Sequence, residues 1–169
     1  MKSYFIYFLS AFLLFLSCTK EVKGHKTTSY YLIRHAEKDR SDINNPDPHL
    51  NDLGLQRAEK WANTLKHIPF DEIYSTNYNR TIETVQTIAK QRQKEINIYD
   101  PENFDLTNFL TMTIGKTVLI VGHSNTIPGL VNKIIKKDKY DQIKDYNNSN
   151  LYIICRQKGV TYDTLLVID

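Results

Sequence analysis

From Ser29 onward the sequence alternates between two kinds of segment, and that alternation restricts the fold more than any other property of the chain. Runs rich in β-branched and aromatic residues at 30–34, 73–75, 96–99, 117–121, 151–155 and 164–168 have the length and composition of strands. Between several of them, apolar residues recur at helical spacing. Leu55, Ala58, Trp61, Ala62 and Leu65 share one face of a helix opening after Asn51, and Ile82, Val85, Ile88 and Ala89 share one face after Asn79. Leu106, Phe109 and Leu110 predict a shorter helix. Leu130, Val131, Ile134 and Ile135 predict another, with Pro128 in the first turn, where proline is tolerated. Strand–helix repetition closed by a strand pair around Lys158-Gly159 predicts an α/β domain with a mainly parallel central sheet and helices on both faces. The 169 residues suffice for one such domain and carry no internal repeat or low-complexity segment.

Composition narrows the partners. Lys and Arg number 22 against 19 Asp and Glu, a net charge of +3, and no basic run of the kind that tracks phosphates is present, so nucleic acid is not an expected partner. Two cysteines cannot build a disulfide framework. Cys155, in an apolar run, reads as a buried structural thiol without metal-ligand spacing around it.

The amino terminus is a separate matter. Residues 4–17 hold six aromatics and five Leu or Ile, too short a run to span a bilayer, which takes about 20 apolar residues. It reads as the apolar core of a secretory signal. Leu16-Ser17-Cys18 at its end resembles a bacterial lipoprotein cleavage site. On this reading residues 1–17 are a signal peptide, Cys18 carries lipid, 18–27 form a polar tether and 28–169 form the domain. The domain is then held on a membrane of the bacterial cell envelope, outside the cytoplasm.

In parallel α/β sheets, ligands bind at the carboxyl ends of the strands. Here those ends read Arg34-His35-Ala36-Glu37 after the first strand, Ser75-Thr76 leading to Arg80-Thr81 after the second, and Gly122-His123-Ser124-Asn125 after the fourth. Two arginines and two histidines thus gather at three strand ends. Arginine grips phosphoryl oxygens with a planar fork. Imidazole is a nitrogen nucleophile near neutral pH, able to accept a phosphoryl group and give it up to water. Helix amino termini after Asn79 and Asn125 add backbone donors for an anion. With no phosphate loop and no carboxylate cluster for magnesium, positioned protein charges carry the stabilisation, and no metal or cofactor is expected.

Four ordered blocks carry a resemblance. Arg34-His35-Ala36-Glu37, the segment from Asp47 to Ala58, the segment from Phe70 through Arg80-Thr81 to Thr84, and Val118 to Ser124 are similar to the motifs of the histidine phosphatase superfamily, also called phosphoglycerate-mutase-like. The resemblance extends over about residues 29–136, and the shortness of the chain resembles the phosphohistidine phosphatases. It implies that His35 is the phosphorylated nucleophile, that Arg34 and Arg80 grip the phosphoryl oxygens, and that His123 and Ser124 complete the phosphate-binding pocket. Ala36 stands where the family has Gly, and Thr76 where it has Pro. The family's general acid corresponds here to Glu102, with Asp100, Asp105 and Glu37 as rivals. The implied activity is a metal-independent phosphatase acting on a small phosphorylated substrate or a phosphoprotein. A phosphoglycerate-mutase-type phosphotransferase and a non-catalytic phosphate-binding module are the alternatives. His25, His49 and His67 read as structural or solvent-facing, Trp61 as core. Lys133, Lys136, Lys137 and Lys139 read as a solvated face that could also steer an anionic substrate.

Overall fold

The computed structural model describes residues 26–169; the stretch read as a signal peptide, Cys18, His25 and most of the expected tether lie outside them. Ten elements follow in the order β1 (Thr28–Arg34), α1 (Asp52–Thr64), β2 (Glu72–Ser75), α2 (Asn79–Gln91), β3 (Ile96–Ile98), α3 (Leu106–Met112), β4 (Thr117–Gly122), α4 (Thr126–Ile135), β5 (Asn150–Gln157) and β6 (Val160–Val167). They build one six-stranded sheet in the order β3-β2-β4-β1-β5-β6. The pairs β1–β4, β2–β4 and β2–β3 are parallel, while β5 pairs antiparallel with both β1 and β6. The expected mainly parallel α/β architecture is therefore found.

Period-two alternation in the strands divides the core. Tyr30, Leu32, Val118 and Ile120 meet Phe109 of α3 and Ile127, Leu130, Val131 and Ile134 of α4 on one face. Ile33, Leu119 and Val121 meet Trp61 and Ala62 of α1 and Val85, Ile88 and Ala89 of α2 on the other. Helices thus cover both faces because each central strand is apolar on both, as a buried parallel sheet requires. Each fully buried large apolar side chain contributes about 1.5–3 kcal/mol relative to exposure.

Element ends follow local chemistry. Asn51 caps α1 as expected, its side chain accepting from Gly54 N–H. Gly54 is needed for close approach, because a Cβ there would lie 2.1 Å from the Glu37 carbonyl oxygen. Helix α2 begins at Asn79 itself rather than after it. Tyr78 holds the cap position with no side-chain cap bond, and Asp47 Oδ1 takes the Asn79 N–H from across the site at 2.9 Å. Strand β6 begins at Val160, four residues before the apolar run at 164–168, because the turn at Lys158 and Gly159 sets a register pairing Gln157 with Val160 and Asn150 with Val167. Periodicity misses those four residues because β6 is an edge strand with no buried face to pattern.

Candidate active site

The strand register delivers the site. Arg34 pairs with Gly122 and Ser75 with Val121, so the last residues of β1, β2 and β4 stand side by side. His35 N–H extends the ladder by one more bond to the Gly122 carbonyl, 2.9 Å. The His35 and His123 rings lie with centroids 5.5 Å apart. Arg34 and Arg80 both act electrostatically on both imidazoles. The four residues singled out from three distant stretches of sequence are thus brought together.

His35 is 4% exposed, and its surroundings fix its chemical state. Its Nδ1 lies 2.7 Å from the Ala36 carbonyl oxygen. A carbonyl only accepts, so Nδ1 carries the proton and Nε2 presents a lone pair. Burial pushes the imidazole pKa down from 6.5 to about 3, with the charge of Arg34 and the neighbouring His123 and Arg80 adding to it. The ring is neutral at physiological pH. Asn148 Nδ2 donates to the His35 carbonyl at 2.7 Å, and Ala36 N–H donates to Thr84 Oγ1 at 2.8 Å, so the turn is fixed on both sides. Ala36 does not adopt a left-handed backbone, the conformation for which glycine is favoured; its methyl packs with Leu50 and Ala58.

His123 is held at 3.0 Å from Thr76 Oγ1 through Nε2, and the Tyr78 ring meets it edge-on with centroids 5.0 Å apart. Burial, then the charges of Arg80, Arg34 and Lys38, lower its pKa to about 4.

The two guanidiniums are anchored differently. Arg34 is buried, and its Nη1 donates to the carbonyls of Lys144, Asp145 and Asn147 at 2.9–3.0 Å while Nη2 meets Asp145 Oδ1 at 2.9 Å. Arg80 stacks 4.3 Å above the Tyr78 ring and approaches Asp47 Oδ1 only to 3.5 Å. In both, the buried Nε has no acceptor. Trp61 Nε1 and Arg92 Nε share that state, but Trp61 lies in the apolar core against α2 and Arg92 beside Phe70. A buried donor left unpaired costs about 1–3 kcal/mol. Two such donors at one strand-end cluster fit an oxyanion supplied from outside.

Two clefts open at the cluster. One, of about 390 Å³, is lined by Arg34, His35, Glu37, Lys38, Arg40 and Asp145 among others. The second, about 760 Å³, is lined by Thr76, Tyr78, Arg80, Asp100, Glu102 and His123 among others. Of the candidate acids, Glu102 lines the second cleft. Asp100 also lines it, but its carboxylate is bound by Asn103 Nδ2 and the Glu102 N–H, which hold its pKa below the usual range. Asp105 caps α3 through Asn108 N–H. Glu37 is gripped through both oxygens by Arg57 Nε at 2.7 and 2.9 Å. Ser124 lines neither cleft and is placed by its carbonyl, which accepts from Ile143 N–H at 2.9 Å. His49 is exposed and pairs with Glu83, in keeping with a structural role.

Sequence reasoning assigned no role to Tyr78, Asp47, Asp145 or Asn148. Tyr78 and Asp47 sit inside or next to the quoted blocks, so their places beside Arg80 were within reach. Asp145 and Asn148 lie in a loop with no periodicity, and only the tertiary fold brings them to Arg34 and His35.

Comparison with known proteins agrees with this geometry. The model of the histidine phosphatase superfamily (branch 1) matches residues 30–102, the stretch that carries Arg34, His35 and Arg80. No curated protein sequence matches the chain significantly. Among solved structures, the protein histidine phosphatase SixA complexed with tungstate superposes with a TM-score of 0.66 at 12% identity, covering 82% of this chain and 96% of that one. Phosphoglycerate mutase from Bacillus anthracis gives 0.65 at 16% identity, covering 84% and 93%. A phosphoserine phosphatase mutant from Entamoeba histolytica bound to phosphoserine gives 0.64 at 18%, covering 80% and 94%. The fold is phosphoglycerate-mutase-like, and the stretch that resembles the histidine phosphatase superfamily model runs from β1 through α1, β2, α2 and β3 to residue 102.

Proposed function

We propose that the protein is a metal-independent phosphatase that works through a phosphohistidine on His35. The observation that carries this reading is a buried, neutral imidazole, its Nδ1 proton engaged and its Nε2 lone pair free, beside two guanidiniums with unpaired donors. His35 Nε2 attacks phosphorus, and the bond to the leaving oxygen breaks as the N–P bond forms. Arg34, Arg80 and His123 bind the phosphoryl oxygens whose charge the transfer redistributes. Glu102 is the acid that gives the leaving oxygen its proton, since Glu37 is bound by Arg57 and Asp100 and Asp105 hold local backbone. Water then attacks the phosphohistidine, releasing phosphate and restoring the imidazole. The substrate is a small phosphorylated molecule or a phosphoprotein.

The test is to quench the enzyme during turnover and look for an acid-labile, base-stable phosphoenzyme. His35→Asn, whose amide can still donate to the Ala36 carbonyl, should show neither label nor turnover. Full activity in that variant would sink the mechanism. A panel of phosphomonoesters, phosphohistidine and phosphoanhydrides then defines the substrate class.

We infer separately that lipid on Cys18 holds the domain on a membrane of the bacterial envelope. Support comes from the run at 4–17 and the Ser17-Cys18 junction. Two acyl signals give stable anchoring where one does not. Cys18→Ser should leave activity intact and release the protein from the membrane fraction; mass spectrometry of a soluble wild type with unmodified Cys18 would refute it.

A further inference from the structure

The parallel strands have a second end. At their amino termini, a groove of about 610 Å³ lies between α3, the end of α4 and the β5–β6 turn. Five cations line it: Lys26, Lys133, Lys136, Arg156 and Lys158. Among the described residues, no Asp or Glu does. Leu106, Leu110, Ile114 and Val160 line it too, with Ile114 69% and Val160 48% exposed, and uncharged polar residues and Gly159 make up the rest. Cations interleaved with exposed aliphatics match an anionic lipid surface, where ammonium groups meet headgroup phosphates and the aliphatics reach the acyl boundary.

The course of the chain points the same way. Lys26 and Thr28 are part of the groove, and Lys26 packs at Gly115, where an added Cβ would lie 2.9 Å from the lysine Cβ. The segment carrying the apolar run 4–17 and Cys18 therefore leads directly from this face. Eight residues, 18–25, reach at most about 28 Å when extended, which holds the groove near whatever Cys18 is attached to. Strand β1 runs seven residues from Thr28 in the groove to Arg34 in the site, about 20 Å at strand rise.

We infer that this face docks onto the anionic membrane surface to which the amino-terminal segment attaches, leaving the His35–His123 site turned outward to solvent. The inference rests on the anchoring reading for its tether and on the groove for its contact.

The test uses the full chain with Ile114→Trp, reconstituted in phosphatidylcholine vesicles containing brominated lipid, with or without phosphatidylglycerol. Trp61, buried in the α1–α2 core, is the background in the unsubstituted chain. The introduced indole should be quenched strongly only with the anionic lipid. Combining Lys26→Gln, Lys136→Gln and Lys158→Gln should weaken docking about a hundredfold, near fivefold per cation, and high salt should do likewise. Amide exchange across α3 in the chain without the indole should slow under the same conditions. Equal quenching in both vesicle types, or no effect of the triple variant, would overturn the docking. Equally tight binding to soluble polyphosphate would overturn it in favour of a dissolved polymer. Flotation with neutral vesicles reads the anchor separately, so loss of the tether and loss of the docking face are told apart.

Discussion

Thr84 offers the sharpest test of how the site is held. Its hydroxyl, fully buried, accepts from Ala36 N–H at 2.8 Å and donates to the Arg80 carbonyl at 2.6 Å. One oxygen therefore ties the turn that carries His35 to the helical turn that carries Arg80. Thr84→Val keeps the shape and removes the oxygen. The Arg80 carbonyl retains its helical partner, but Ala36 N–H is left buried and unpaired, at a cost of about 1–3 kcal/mol. For a domain of this size that lowers Tm by about 2–4 °C per kcal/mol. The kinetic effect should exceed the thermal one, because a displacement of about 1 Å between nucleophile and clamp can cost a hundredfold. Thr84→Ser, which keeps the oxygen, should recover most of kcat/KM. Urea titration and steady-state kinetics on both variants decide the matter. A Thr84→Val protein within about 0.5 kcal/mol of wild type and equally active would refute the argument, since surface-like tolerance is excluded for a buried hydrogen-bonded hydroxyl.

Three other outcomes follow from the same geometry. Arg80→Lys keeps the charge but loses the fork and the stacking on Tyr78, so turnover should fall by about two to three decades, and a loss under threefold would place Arg80 outside the reacting centre. Gly54→Ala should destabilise the fold by about 1–3 kcal/mol or more, because its methyl meets the Glu37 carbonyl; an unchanged urea midpoint would show that α1 shifts freely. Because the folded-state pKa of His35 lies near 3, below the 6.5 of the unfolded chain, the unfolded chain binds more protons between those values and stability falls as pH drops through that window. The His35 contribution from pH 7 to pH 5 is about 2 kcal/mol, so urea midpoints of His35→Asn should fall less steeply with pH than those of wild type, and parallel slopes would contradict a buried neutral ring.

Much of this site was legible because parallel α/β topology converts linear sequence into place. Arg34-His35 and Gly122-His123 each follow an apolar strand directly, so alignment of strand ends suffices to bring them together. Arg80 was legible because Ser75-Thr76 ends a strand four residues before it, at a helix start. The supporting groups were harder. Asp145 and Asn148 sit in the irregular stretch before β5, where no period marks a residue as inward-facing, and their partners Arg34 and His35 lie more than 100 residues away in sequence. The acid candidates could be separated only by seeing which carboxylates were already bound. Glu37 adjoins the nucleophile in sequence, yet its charge is spent on Arg57, one turn into α1.

The cations of the site have two effects that depend on whether a phosphoryl group is present. In the free protein Arg80, Arg34 and Lys38 all disfavour a proton on His123, adding to burial in lowering its pKa to about 4. Burial, with Arg34 and Arg80 adding to it, keeps His35 neutral as well. A phosphoryl dianion bound at the Arg34 and Arg80 donors brings negative charge within reach of both rings and opposes those cations. The pKa of His123 should therefore rise on binding, so that the ring gains a proton and donates to a phosphoryl oxygen as negative charge arrives. His35, with Nδ1 held by the Ala36 carbonyl, has only Nε2 left to protonate, the nitrogen that would face phosphorus in the proposed transfer. Titration of the two imidazoles by NMR, with and without vanadate as the anion, reads this directly. The His123 resonance should titrate at higher pH in the complex and return on removal of vanadate. An unmoved His123, with vanadate bound, would mean that its ring holds position by its contacts to Thr76 and Tyr78 and plays no part in charge balance.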